Sequence, residues 1–124
     1  MLLEFFAKRY KLVDIMSNRI ANIIYKTKNI FYKLKNILEK KRQSFQKIAK
    51  EEMDKGNFKR AIKYFNKIKI KEDNYWIYGD RGIAKMNIGD YKGAIKDFNK
   101  ILELESKEIF KKKIDECIEE MNKK

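Results

Sequence analysis

The single thiol, Cys117, and the carboxylates Asp80, Asp90 and Asp97 are the residues from which catalysis would have to be built. A nucleophile or a hydrolytic carboxylate needs a partner base. The chain has no histidine, which removes the commonest general base and metal ligand. Cys117 falls in the apolar stripe of the last helical stretch, where a free cysteine is expected to behave as a small hydrophobe. Asp90 directly follows Gly89 and reads as a helix cap. Asp80 and Asp97 read as solvated-face residues on different helices. Gly79-Asp-Arg-Gly82 lies inside a helical pattern rather than after a strand, so it is not read as a phosphate loop. No metal-ligand spacing occurs. The expectation is a chain that is not an enzyme, with no catalytic residue, no cofactor and no metal.

The remaining chemistry is that of recognition. The chain has 124 residues and a net charge of +13, enough for one domain that buries about two thirds of its unfolded surface. Residues 1–50 carry 13 Lys and Arg against Glu4, Asp14 and Glu39, a net of +10, while residues 51–124 carry 18 against 15, a net of +3. Lys, Asn, Ile and Tyr are abundant together, the bias of an AT-rich genome, which accounts for part of the lysine excess. Its concentration in the first half points to an acidic partner surface, a membrane or a nucleic acid. Nucleic acid is disfavoured, because the aromatic residues fall on apolar helix faces and not among the lysines as stacking platforms would. One cysteine excludes an internal disulfide and suits a reducing compartment, so a cytoplasmic location is expected.

The elements that must position these residues are helices. Proline is absent and only 5 glycines occur, which favours long uninterrupted helices, since proline costs about 3 kcal/mol inside one. The opening MLLEFFAKRYK is too broken by Glu4 to read as an export signal. No stretch approaches the ~18 apolar residues that span a bilayer. From Val13 to Ile37, apolar positions such as Met16, Ile20, Ile23, Ile30 and Leu34 recur at alternating spacings of three and four. Ile24, Phe31 and Leu38 widen the stripe to an arc of about 140°, broader than a two-stranded coiled-coil seam. Arg19, Lys26, Lys33 and Lys40 flank it, and Asn18, Asn22, Asn29 and Asn36 line the opposite face. Ser17-Asn18 is a candidate helix break, with one long helix as the alternative. Lys40 to Ser44 is the next candidate break.

Further on, Gly56 to Ile68 reads GNFKRAIKYFNKI and Gly89 to Ile101 reads GDYKGAIKDFNKI. Nine of the thirteen positions are identical at an offset of 33 residues. A helix from about Gln43 to Lys55 is expected, with Gly56 beyond its end and Asn57 capping a second helix that reaches about Ile70. The pattern then repeats: a helix from about Asn74 to Ile88, Gly89, the cap Asp90, and a helix from Tyr91 to Leu104. A last helix is expected from Ser106, with Ile109, Phe110, Ile114, Cys117, Ile118 and Met121 on its apolar stripe.

Spacing and residues together resemble the tetratricopeptide repeat, a helix–turn–helix unit of about 34 residues. Gly82 and Ala94 in the second repeat, and Ala49 and Ala61 in the first, sit where the family needs small residues for close helix contact. Phe65 and Phe98 match the large aromatic of the second helix. Tyr78 and Phe45 stand where the family most often has Trp. Ile68 and Ile101 replace a small residue, Arg81 stands where many members have Leu, and no proline follows either repeat. The resemblance covers residues 43–104 and implies an all-α fold of antiparallel helix pairs, a TPR-like α-solenoid. Residues 1–42 are then a basic amphipathic helical extension, 43–105 two repeats (43–73 and 74–105), and 106–124 a C-terminal capping helix.

The resemblance also implies a non-enzymatic protein–protein interaction module, a scaffold or adaptor that binds a peptide segment or partner helix in a groove lined by the first helices. The matching residues are Gln43, Gln46, Lys50, Met53 and Asp54, then Trp76, Gly79, Ile83, Met86 and Asn87. Trp76, Met86 and Lys50 are expected to hold the bound segment, or else the chain's own N-terminal helix fills the groove. The alternative is a peripheral membrane protein, held at an anionic surface by the N-terminal helix while the repeats recruit a partner. Ile20, Ile23, Ile30 and Leu34 are expected to be buried against the helices of the first repeat, because so large an apolar stripe exceeds what soluble monomers usually expose.

Overall fold

The computed structural model describes residues 1–123. Among the described residues, five α-helices and one 3-10 turn follow in this order: α1 (Leu2–Asp54), α2 (Phe58–Phe65), the turn Glu72–Asn74, α3 (Trp76–Asn87), α4 (Tyr91–Leu104) and α5 (Glu108–Asn122). The described residues contain no strand. Two compact units divide the chain, Met1–Lys40 and Lys41–Lys124.

The first unit is one helical segment. Neither expected break forms: α1 passes through Ser17-Asn18 and through residues 40–44 without interruption. The first glycine of the chain is Gly56 and proline is absent. Serine and asparagine each weaken a helix interior by only about 0.5 kcal/mol, too little to stop one in which every added residue adds a hydrogen bond. The expected burial of the stripe is also not met. Ile20, Ile23, Ile30 and Leu34 are 53–64% exposed, since a solitary helix has no second apolar surface of its own to close over them.

The second unit begins within α1, whose last turns supply Phe45, Ala49 and Met53. Gly56 ends α1 at φ +76° and Gly89 ends α3 at φ +81°, a left-handed conformation that only glycine adopts without penalty. Each glycine closes the same pair of hydrogen bonds. Asn57 N donates to the Glu52 carbonyl and Gly56 N to that of Met53; Asp90 N donates to Lys85 and Gly89 N to Met86. These reversals satisfy carbonyls that a helix end otherwise leaves bare. The restarts differ. The Asp90 side chain accepts from Gly93 N at 3.0 Å, as expected of a cap. The Asn57 side chain caps nothing and donates to Glu52 instead.

The two sequence-matched stretches differ most after α2 and α4. α4 reaches Leu104 as expected, whereas α2 stops at Phe65, five residues short of Ile70. The Asn74 side chain accepts from Lys71 N and donates to the Lys69 carbonyl. A side chain that serves backbone groups in this way offers them an alternative to the helix. The position 33 residues later is Lys107, whose ammonium cannot accept such a bond. α5 starts at Glu108 rather than Ser106, and on its expected stripe Ile109 and Ile118 stay exposed.

Two cores fill the unit. Ala49, Ala61, Phe65, Ile68 and Ile77 form the first, between α1, α2 and α3. Ala94, Phe98 and Cys117 form the second, with Ile83, Met86, Phe110 and Ile114 packed on it. Helix α3 therefore serves both. Its two glycines are contact points, as close packing requires: a Cβ on Gly82 would lie 2.6 Å from the Phe98 ring, and one on Gly79 would lie 2.8 Å from Ile101 and 3.1 Å from Phe110. Phe98 and Phe110 stack with ring centroids 5.8 Å apart.

Gly82→Ala is expected to destabilise the fold. The helix-propensity gain of about 1 kcal/mol is outweighed by overpacking against a fully buried ring, for a net loss of about 1–2 kcal/mol in urea unfolding. An unchanged or raised midpoint would show that α3 and α4 can separate at no cost.

Candidate functional site

The last turns of α1 and the solvent face of α3 carry the residues expected to line a groove. The structure brings two of them together: the Lys50 ammonium lies 4.7 Å from the centroid of the Trp76 ring. Cation–π contacts of this kind hold an indole in one orientation. Trp76 is half-buried, one side of it resting on the first core. Asp80, one turn further along α3, joins this pair. Loss of solvent raises the Asp80 carboxyl pKa, and the nearby Lys50 charge draws it partly back. Asp80 was not expected here, although its spacing of four from Trp76 places both on one face of a helix.

The other expected residues do less. Gln43, Asp54 and Asn87 are exposed and Gln46 is half-buried. The Asn87 side chain donates back to the Ile83 carbonyl of its own helix at 2.9 Å. Met53 leans on the first core, while Ile83 and Met86 lean on the second. Gly79 is buried beneath Ile101 and Phe110 and offers no surface. The repeat resemblance places it in the groove by its position along the motif, which does not distinguish an open face from one covered by a neighbour.

Asp97 also departs from expectation: it is 3% exposed, not solvated. Arg81 grips its carboxylate with two hydrogen bonds, Nε to Oδ2 at 2.9 Å and Nη2 to Oδ1 at 2.7 Å. Lys85 Nζ adds a contact to Oδ2 at 2.9 Å. The remaining reach of Arg81 goes to Asn66 at the end of α2, through Nη1 to Oδ1 at 3.1 Å. Its guanidinium stands over the Tyr78 ring at 5.5 Å. The bond to Asp97 raises the Arg81 pKa further above its ordinary range. Basic pairs four apart recur along this chain, so Arg81 and Lys85 gave no local sign of the buried acid that faces them.

Cys117 is fully buried, and burial, with Glu116 beside it, pushes the thiol pKa up and away from the reactive thiolate. At the link between α4 and α5, the Tyr75 hydroxyl donates to Glu105, which Lys107 also contacts at 2.9 Å. Those bonds lower the Glu105 pKa and raise that of Tyr75. Among the described residues no group of acidic, His and Cys side chains is arranged to hold a metal ion.

Comparison with protein-family models, with curated proteins and with solved structures finds no match to this chain.

Two outcomes follow from these contacts. Asp97→Ala leaves two half-buried cations facing each other without their acid and is expected to cost about 3 kcal/mol, measured by urea unfolding; a loss under ~1 kcal/mol would show that water replaces the carboxylate. Asp80 behaves oppositely. Its folded pKa is raised, so its contribution is most favourable below its unfolded pKa and is lost as pH rises through the folded value. Asp80→Asn should therefore raise the melting temperature at neutral pH, and the gain should shrink as pH falls towards 3. An equal gain at both pH values would remove desolvation as its cause.

Proposed function

We propose that residues 41–124 form a non-enzymatic interaction module of the tetratricopeptide type, which holds a peptide segment or partner helix against α1 and α3. The observation that carries this reading is the Lys50–Trp76 pair, in which side chains from the first helices of two successive repeats meet at the surface. Trp is favoured at binding surfaces for its large contact area, and Met because its flexible thioether adapts to a partner. The half-buried Asp80 beside the indole offers an incoming cation a poorly solvated carboxylate, where an ion pair is stronger than in bulk water. The tandem restatement of the helix stops at Gly56 and Gly89 supports the repeat reading. So do the small residues Ala49, Ala61, Gly82 and Ala94, all buried where helices approach each other.

Panning a random peptide library against the protein tests the site without a known partner. Peptides enriched by the wild-type chain should lose about thirtyfold in affinity for Trp76→Ala, as central tryptophans do at interfaces. They should lose about tenfold for Lys50→Glu, a change at an exposed position that leaves folding intact. Equal affinity for both variants would move binding away from α1 and α3.

A further inference from the structure

Helix α1 carries, between Leu12 and Leu38, an apolar face that nothing in its own unit covers. Met16, Ile20, Ile23, Ile30, Leu34 and Leu38 all lie on it, each more than half exposed. At 100° per residue these side chains share one side of the helix. Arg19, Lys26 and Lys33 run along one edge, and Lys28 and Lys35 along the other. Asn18, Asn22, Asn29 and Asn36 lie opposite. The acidic residues of this unit, Glu4, Asp14 and Glu39, are off the apolar arc. The exposed face far exceeds the few hundred Å² that soluble proteins usually tolerate.

We propose that residues 12–38 lie in the plane of an anionic lipid surface. The apolar face enters the headgroup–acyl boundary, and both lysine rows extend outwards to the phosphate layer. The segment does not span: no helix among the described residues is long and apolar enough to cross a membrane. Charge selects this occupant over a second copy of the chain. Antiparallel pairing of two such faces would set the row Arg19, Lys26 and Lys33 against itself. Parallel pairing would set that row beside the partner copy's Lys28 and Lys35, again with no acid to answer it. An anionic bilayer matches both features at once, apolar depth for the arc and negative charge for the two rows. This inference is independent of the peptide site on α3, since it concerns the other unit of the chain.

Vesicle flotation of the full chain tests it, using phosphatidylcholine with and without phosphatidylserine at low and high salt. The protein should float with the anionic vesicles at low salt and much less at high salt. Replacing Arg19, Lys26 and Lys33 together by Gln should weaken partitioning about a hundredfold, since each basic residue contributes at a charged surface. Ile30→Glu with Leu34→Glu should abolish flotation, while the same charge change on the opposite face, Asn22→Glu with Asn29→Glu, should retain it. Equal loss in both double variants would reduce the interaction to bulk charge and overturn the proposal. So would absence of flotation at low salt, whether sedimentation then shows a stable dimer or a gel shift shows binding to nucleic acid.

Discussion

Asp97 is a carboxylate placed out of reach of water, and α2, α3 and α4 meet around it. Withdrawing such a charge from solvent costs several kcal/mol, which only close, well-oriented cations offset. Arg81 supplies two parallel hydrogen bonds and Lys85 a third contact, both from α3. The guanidinium also reaches Asn66 at the end of α2. This geometry requires α3 and α4 to lie close together. Gly82 permits that by leaving room for the Phe98 ring. A larger residue at position 82 would separate the helices and strand the charges. The apolar contact and the ion cluster therefore depend on each other.

The two sequence-matched stretches accommodate a buried acid differently. At the positions 33 residues before Arg81, Lys85 and Asp97 stand Ile48, Glu52 and Tyr64. In the earlier stretch the buried acid therefore lies on α1. Glu52 is 6% exposed and meets Asn57 at 2.9 Å, with Arg60 at 3.6 Å and Lys55 at 3.8 Å. Those looser contacts explain why Asn57 is drawn away from capping α2. They also tie the acid to the turn that follows α1 rather than to the middle of a helix pair. Helices α3 and α4 are joined by both charge and the Phe98 core, whereas Phe45, Tyr64 and the alanines pack the first core.

Much of this was legible locally. The helical period, the glycine stops at 56 and 89 and the Asp90 cap each depend on a few neighbouring residues, and each is present in the structure. Lys50 of α1 and Trp76 of α3, 26 positions apart, meet at the surface. Less was legible where two readings of one residue differ by little energy. Ser17-Asn18 has the composition of a cap, but without glycine or proline nearby the helix continues. Asn74 has the same composition and does interrupt regular structure, because two backbone groups lie within its reach.

The sequence by itself determined that this chain is helical, that helices stop at Gly56 and Gly89, and that residues 12–38 carry one apolar and one polar face. These are consequences of spacing along a chain with a fixed helical period. Tertiary structure alone decided that Asp97 is buried, that Asp80 is desolvated beside Trp76, and that Gly79 is covered by Ile101 and Phe110. It also decided that Ile20, Ile23, Ile30 and Leu34 remain uncovered. Helical period assigns a residue to a face. Whether water, a neighbouring helix or a counter-charge meets that face depends on residues distant in the chain, and no local pattern encodes their positions.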